Sequence, residues 1–215
     1  MLNKVIRGSL SGIVMVAAAL CLQTAWADTA AAEKAGKENT AHSVVEQVTV
    51  NLTTVVRNER DLLETDPETY FSRVKSVLEP VVDFAFIARN VMGPYWETAS
   101  EAQRQEFLET FKNGLVETYA KGMANYVDLD ISILPPAKDA ENKRRVGVVQ
   151  EITGPDGTNR VSYTMALNRD GEWKLINMVL NGVNLGKTFR NQFAQAAKQN
   201  EGDLNAVISN WSAET

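Results

Sequence analysis

The sequence is almost without cysteine and histidine. Cys21 is the only cysteine among 215 residues, and it lies in an apolar N-terminal run that we expect to be removed. Disulfides, thiolate metal sites and a cysteine nucleophile are then excluded. His42 is the only histidine, in a polar, alanine-rich segment where a solvated surface residue is expected. A Ser-His-Asp triad or a histidine-based zinc site is disfavoured, and we predict neither catalytic nor metal-binding residues.

Long apolar runs are also missing. The most apolar segment, residues 10–22, has thirteen residues, fewer than the about 20 that a membrane-spanning helix needs. Lys4 and Arg7 precede it, and the small-x-small pattern AWA follows it, as is typical of a secretory signal peptide. We therefore predict that residues 1–27 are a signal peptide cleaved near Ala27/Asp28, and that the mature chain is soluble.

Lipidation is the alternative for the N-terminal segment. A cysteine after an apolar run, here Cys21, can be acylated. Leu20, however, stands where a lipoprotein would have a small residue. The sequence favours a cysteine that is discarded with the signal peptide.

Basic residues are fewer than acidic ones. The chain has 22 Lys and Arg against 27 Asp and Glu, a formal net charge of −5, and residues 1–27 contain two of the basic residues and no acidic one. Nucleic acid is an unlikely partner for so acidic a chain. The length predicts one domain, residues 42–215, after a flexible lead-in over 28–41.

The pattern of apolar residues predicts helices, then strands, then helices. One helix opens at Asp66 and Pro67, a cap followed by proline, and a long one opens at the capping box of Ser100 and Gln103. The predicted parts are a helical part over 42–126, a sheet over 127–181 and C-terminal helices over 184–211. The four predicted strands cover about 127–134, 144–153, 160–168 and 172–181.

Two tight links, GPDG and NRDG, set the predicted register of the sheet. Both are typical of a three-residue hairpin loop with a glycine bulge. This loop length places Leu167 opposite Trp173 and Val149 opposite Tyr163, and it makes both faces of the sheet largely apolar. Two arrangements then stay open: a closed core filled by helix side chains, or a cavity filled by an apolar guest.

Four separate segments carry a resemblance to a known family. They are DFAFIARNVMGPYWETASEAQRQEFLETF, LVETYAKGMANY, WKLINMVLNGVNL and FRNQF. In this order and spacing the chain resembles the MlaC family, the auxiliary component of a toluene-tolerance lipid-transport ABC system, over roughly residues 42–211. The departures are modest. Residues 181–184, NGVN, stand where an acidic residue before the glycine and a serine after the valine are expected, and Pro94 follows the glycine of the first segment directly.

The resemblance implies a periplasmic carrier that is not an enzyme. Its cargo would be a glycerophospholipid, with no cofactor. Its partners would be an inner-membrane ABC transport complex and an outer-membrane lipoprotein–porin complex, between which it would move lipid and so maintain outer-membrane lipid asymmetry. The implied fold is α+β and NTF2-like (nuclear-transport-factor-2 type), with helices packed on a curved antiparallel four-stranded sheet and an apolar cavity between them. We expect a monomer.

Nine apolar and aromatic residues are the predicted lipid contacts. Sheltering acyl chains requires apolar area, and methionine adapts to mobile chains, although each methionine could equally fill a gap in a closed core. The segment DFAFIARNVMGPYW would be a scaffold helix that partly lines the cavity. The predicted contacts are Phe84, Val91, Tyr119, Met123, Val149, Tyr163, Met165, Leu175 and Met178.

A basic group begins the second predicted strand. Lys143, Arg144 and Arg145 stand out on an acidic chain. Such a group is usually a solvated edge that prevents strand-to-strand pairing. The alternative is that these three residues dock an acidic surface of a partner.

Two other functions compete with lipid transport. Curved sheets of this type also host isomerases and dehydratases that use Asp and Tyr in an apolar pocket. Asp128 and Asp130 share a strand face, but at a predicted edge they are better interpreted as solvated. The third candidate is a periplasmic protein-binding or chaperone module. Lipid bound to the purified protein would distinguish the carrier from this module, and conversion of a small molecule that is lost on mutating Tyr163 would indicate the enzyme.

Overall fold

The computed structural model of the chain describes residues 39–124, 128–136 and 143–212. The predicted signal peptide and residues 28–38 of the predicted lead-in lie outside the described residues.

Eight helices and five strands occur in the described ranges. They follow the predicted order of helices, sheet and helices. The helices are α1 (Ala41–Glu59), α2 (Leu62–Thr65), α3 (Pro67–Leu78), α4 (Phe84–Met92), α5 (Tyr95–Thr98), α6 (Glu101–Met123), α7 (Leu185–Gln199) and α8 (Leu204–Ser209). The strands are β1 (Asp130–Ile133), β2 (Arg145–Gly154), β3 (Gly157–Leu167), β4 (Trp173–Leu180) and β5 (Val183–Asn184).

Side-chain caps fix where the main helices begin. Ser100 and Gln103 form the predicted capping box of α6. The carboxylate of Asp66 accepts a hydrogen bond from the Thr69 backbone at the start of α3, and Asp83 caps α4 in the same way. Each cap satisfies a backbone N–H group that has no partner within its helix.

The sheet is antiparallel, with its strands in the chain order β1 to β5. The sequence predicted four strands, and the fifth, β5, was missed. Asn181 and Gly182 both have positive φ, 48° and 85°. An Asn-Gly pair in this conformation makes a two-residue turn, which returns the chain against the end of β4. Val183 then pairs with Leu180.

The predicted register of the β3–β4 hairpin is right near its loop, and that of the β2–β3 hairpin is wrong. Leu167 lies opposite Trp173, as predicted. Gly154, however, pairs with Gly157, so the loop between β2 and β3 has two residues and not three. Tyr163 therefore lies opposite Val148, not Val149. A one-residue change in register exchanges the two faces of a strand.

The corrected register makes the sheet amphipathic. One face carries Val146, Val148 and Ile152 of β2. The other face is mostly polar, which corrects the prediction that both faces are apolar. It carries Arg145, Glu151, Thr153, Arg160, Ser162 and Thr164.

An aromatic cluster holds the helical layer together. The cluster consists of Phe107 and Phe111 of α6, Phe193 of α7 and Trp211, with contacting ring centroids 4.9–6.3 Å apart. The three phenylalanines are fully buried. Rings at these distances interact favourably beyond the apolar area that they bury.

The segment DFAFIARNVMGPYW folds as α4 and the first half of α5. Its buried residues Ala88, Val91 and Met92 join the core around the aromatic cluster. Gly93 ends α4 at φ 57°, and a side chain there would also meet the Arg190 guanidinium at 3.1 Å. Trp96 is held by Arg104 of α6, which donates to its carbonyl at 2.9 Å. The segment therefore packs mainly on α6 and α7.

We expect Phe193→Ala to destabilise the protein strongly. The ring is fully buried, and its removal leaves a cavity in the helical layer, at a cost of about 3–5 kcal/mol. The control is Phe86→Ala on α4, whose ring is 39% exposed and whose loss should change stability by about 0.5 kcal/mol or less. Urea unfolding followed by tryptophan fluorescence measures both values. Equal losses in the two variants would contradict the assigned core.

Candidate functional site

An apolar cavity of about 270 Å³ lies between the helices and the apolar face of the sheet. Its wall is built by one face each of α1, α4, α6 and α7 and by four strands. The helical wall includes Val45, Val48, Leu52, Val56, Phe84, Ile87, Leu115, Val116, Tyr119, Met123, Leu185 and Phe189. The sheet contributes Ile131, Gln150, Ile152, Tyr163, Met165, Leu175, Asn177 and Met178.

Helix α1 faces the cavity with one continuous stripe. Val45, Val48, Thr49, Leu52 and Val56 recur at intervals of three or four residues, the spacing that places side chains on one face of a helix. The exposed Val50 lies on another face. The helix therefore covers the apolar face of the sheet.

A bulge in β4 brings two of its large side chains to the same wall. Met165 pairs with Leu175, whereas Thr164 pairs with Asn177, so Ile176 is an additional residue in β4. In a regular strand, Leu175 and Met178 would point to opposite faces. Because of the additional residue, both line the cavity.

No lining residue in the described part of the chain is charged. The polar members of the wall are hydroxyl and carboxamide side chains: Thr49, Thr53, Tyr119, Gln150, Tyr163 and Asn177. Such a wall suits a guest with long uncharged segments. Burying an unpaired charge here would be strongly unfavourable.

Gln150 is the buried polar residue at the centre of the sheet wall. It is 4% exposed. Its Oε1 accepts hydrogen bonds from the hydroxyl of Tyr163 at 3.0 Å and from the hydroxyl of Thr49 at 3.4 Å. Burial raises the pKa of the Tyr163 phenol well above its usual value. Tyr163 is therefore a neutral hydrogen-bond donor.

Seven of the nine predicted lipid contacts lie on the cavity wall. They are Phe84, Tyr119, Met123, Tyr163, Met165, Leu175 and Met178. Val91 and Val149 do not line this cavity. Val91 is buried in the core around the aromatic cluster, because it faces α6 and α7. Val149 lies on the opposite face of the sheet from Val148, as the shorter hairpin loop requires.

Several wall residues were not predicted, and Gln150 is the most informative of them. In the run Val146, Val148, Gln150, Ile152, alternate residues of β2 share one face. A glutamine in an otherwise apolar row was a signal for a polar group in the cavity. Because the register was shifted by one residue, this row was not recognised as the cavity wall.

One member of the basic group at the start of β2, Arg144, has a structural role. Lys143, Arg144 and Arg145 are all exposed. Arg144 Nη2 donates to the backbone carbonyls of Leu167 and Asn168 at 3.1 and 2.9 Å. Arg144 therefore ties β2 to the end of β3.

Two other features bear on the function. Among the residues that the structure describes, no group of three or more His, Cys, Asp or Glu side chains is placed to hold a metal ion. Of the helices within 39–124, 128–136 and 143–212, none is long and apolar enough to cross a membrane.

Comparison with known proteins identifies the family. A sequence model of the MlaC protein family matches residues 46–213, most of the chain. The chain belongs to the MlaC family. This confirms the resemblance that the sequence segments carry.

Two curated relatives agree with this assignment. The MlaC-family chain is 34% identical over 177 residues to the toluene tolerance protein ttg2D of Pseudomonas putida, covering 81% of each chain. It is 25% identical over 151 residues to the intermembrane phospholipid transport system binding protein MlaC of Haemophilus influenzae, covering 69% of this chain and 70% of the relative.

A solved structure shares the fold. It is a phospholipid-binding protein from Ralstonia solanacearum, determined in complex with a phospholipid. Its TM-score to this MlaC-family chain is 0.71 at 23% identity, and the match covers 79% of this chain and 93% of the other. The predicted α+β fold class is confirmed.

We expect Tyr163 to remain protonated in the folded protein above pH 10. Because its folded pKa is raised, the unfolded state ionises first, near the ordinary value of about 10. The stability that neutral Tyr163 contributes is fully present below that pH and is lost as pH rises. In spectrophotometric titrations, native wild type and native Tyr163→Phe should give equal phenolate absorbance.

Denaturant provides the control for this titration. In the unfolded state, wild type should give one more phenolate than Tyr163→Phe. If the native proteins already differed by one phenolate near pH 10, Tyr163 would not be in the buried environment described.

Proposed function

We propose that the chain is a periplasmic phospholipid carrier that holds the acyl chains of a glycerophospholipid in its cavity. The observation that carries the proposal is the uncharged apolar cavity between helices and sheet in a chain of the MlaC family. A relative named as a phospholipid transport binding protein and a structural neighbour solved with a phospholipid support it. The proposal assigns the chain no catalytic step and no cofactor.

The physical problem of moving a phospholipid through water explains the composition of the wall. Each methylene group that is sheltered from water contributes about 0.8 kcal/mol. The affinity therefore depends mostly on apolar area, which valine, leucine, isoleucine, phenylalanine and methionine supply. The described residues of the wall provide no charge to pair with a phosphate, so the head group stays outside the cavity, in water.

The cavity volume requires some adjustment of the wall. At about 270 Å³, it is slightly below the roughly 300–1,000 Å³ of typical small-molecule pockets. Met123, Met165 and Met178 have flexible, unbranched side chains that can move to fit chains of different length. We infer that the wall opens further when both acyl chains of a phospholipid enter.

We expect Ile152→Trp to reduce the phospholipid that copurifies with the protein several-fold. Ile152 lines the cavity, and an indole there would occupy space that the acyl chains need. The matched control is Thr153→Trp, which adds the same ring to the exposed, opposite face of β2 and should leave the lipid content unchanged. Native mass spectrometry and solvent extraction measure the lipid-to-protein ratio.

Wild-type protein is the reference for this experiment, together with an unrelated periplasmic protein prepared in parallel. The proposal predicts near-stoichiometric phospholipid in the wild type alone. Wild-type protein that carries no lipid and takes none from vesicles would overturn the carrier function. The protein-binding module would then be the better interpretation.

We propose, in addition, that the carrier exchanges lipid with an inner-membrane ABC complex and an outer-membrane lipoprotein–porin complex, and that the basic group contributes to docking. Lys143 and Arg145 are the members to test, because Arg144 has a structural role in the sheet. Both side chains are exposed. Their charge would attract an acidic partner surface and increase the association rate.

We expect the double variant Lys143→Glu/Arg145→Glu to slow lipid transfer to or from a reconstituted partner complex, most strongly at low salt. The rate should fall about tenfold or more, because charge steering acts mainly on association. The control is Lys187→Glu, an exposed position at the start of α7. Unchanged transfer with both partner complexes would exclude the basic group from docking.

A further inference from the structure

Gln150 is a buried polar side chain within an apolar wall. It is 4% exposed, and its neighbours on the same face of β2 are Val148 and Ile152. A buried carboxamide without hydrogen-bond partners is destabilising by about 1–3 kcal/mol, and an apolar residue would avoid this cost. The hydrogen bonds of the carboxamide therefore determine how much its burial costs.

The oxygen of this carboxamide is fully engaged, and the nitrogen is not. Oε1 has two acceptor sites, and it accepts from Tyr163 and Thr49. Nε2 carries two donor hydrogens, and within residues 39–124, 128–136 and 143–212 it makes no hydrogen bond. Gln150 lines the cavity, so a guest in the cavity can reach this amide.

In the observed orientation of the carboxamide, both neighbouring hydroxyl groups have an acceptor for their protons. In the observed orientation, Tyr163 and Thr49 both donate to Oε1. If the oxygen and the nitrogen were exchanged, the proton of the buried Tyr163 phenol would lose its acceptor at Gln150. Tyr163 keeps this proton because burial raises its pKa. In this orientation the two hydroxyl groups bind Oε1, and Nε2 is free to donate to a guest.

A neutral acceptor is the partner that fits this donor. Because no described residue of the wall is charged, the cavity offers no counter-charge for a phosphate or a carboxylate. Within a glycerophospholipid, the carbonyl oxygens of the ester links are neutral acceptors that lie next to the acyl chains. They are the polar atoms most easily placed in a largely apolar cavity.

We propose that Gln150 Nε2 donates a hydrogen bond to an ester carbonyl of the bound lipid, and that Tyr163 and Thr49 position the amide for it. The inference rests on the proposed carrier function and deepens it. The apolar wall binds chains of any kind, whereas the Gln150 amide selects lipids whose chains are attached through esters. The carrier would then discriminate between ester-linked and ether-linked lipids with the same chains and head group.

The test is a competition between two such lipids. Delipidated full-length mature protein is incubated with vesicles that contain equal amounts of a diacyl ester phospholipid and the matching dialkyl ether phospholipid. Bound lipid is extracted and quantified by mass spectrometry. We expect wild type to prefer the ester lipid roughly two- to tenfold, the effect of one hydrogen bond.

Variants locate the preference at Gln150. Gln150→Met keeps a similar side-chain size but lacks the donor, so the preference should disappear while ether lipid still binds. The matched control is Gln199→Met, the same substitution at an exposed position of α7 away from the cavity wall, which should keep the preference. The ester-to-ether ratio is measured within each sample, so a loss of folded protein does not change it.

The outcomes separate this inference from the proposed function. Equal binding of both lipids by wild type would overturn the role of Gln150 and leave the carrier function intact. Failure to bind either lipid would overturn both. A third arm adds hexadecanoic acid. If it displaced both lipids from wild type but not from Gln150→Met, the amide would bind a free carboxylate, and the ester assignment would be wrong.

Discussion

A cavity wall makes fewer van der Waals contacts within the protein than a closely packed core does, so the elements around it must be stabilised elsewhere. In this chain that stabilisation comes from the core that α4, α6, α7 and α8 form around the aromatic cluster. Phe107, Phe111 and Phe193 are buried at one end of the helical layer, and Trp211 packs on them. Two of the helices that carry the cluster, α6 and α7, also form part of the cavity wall.

Helix α4 connects the two regions. Phe84 and Ile87 line the cavity, whereas Ala88 and Val91 lie in the core around the aromatic cluster. The backbone just before the helix is also fixed to the sheet. The Leu175 N–H donates to the carbonyl of residue 81 at 2.8 Å, and the N–H of residue 83 donates to the Leu175 carbonyl at 3.0 Å. Backbone hydrogen bonds, and not side chains that fill the cavity, thus hold the start of α4 in place.

Most of the fold could be predicted from local patterns, since the caps of a helix and the spacing of its apolar residues depend on residues close together in the chain. The capping box of Ser100 and Gln103 and the helix that starts at Pro67 are examples. Pairing across the sheet depends on finer detail. The GPDG link closes with two loop residues and not three, and this single residue exchanges Val148 and Val149 between the faces. The extra residue in β4 has no local signal in the sequence, since a bulge is defined by the pairing of two strands.

The same limits apply to the candidate site. Its aromatic and methionine members could be predicted, because large apolar residues that repeat with a regular spacing mark inward-facing positions. Val91 shares that spacing but faces a different core, since an amphipathic helix does not reveal which apolar body its stripe contacts. The role of Gln150 required the correct register, and the hydrogen bond that its oxygen accepts from Thr49 joins two residues that are far apart in the chain.

The short outer strands have a consequence for how the protein behaves in a crowded solution. One edge of the sheet is β1, with four residues, and the other is β5, with two, which leads directly into α7. A long open edge presents unpaired N–H and C=O groups that can add a strand from another molecule and start aggregation. Outermost strands this short are poor templates for a further strand, so this route to aggregation is limited while the helices cover the apolar face of the sheet.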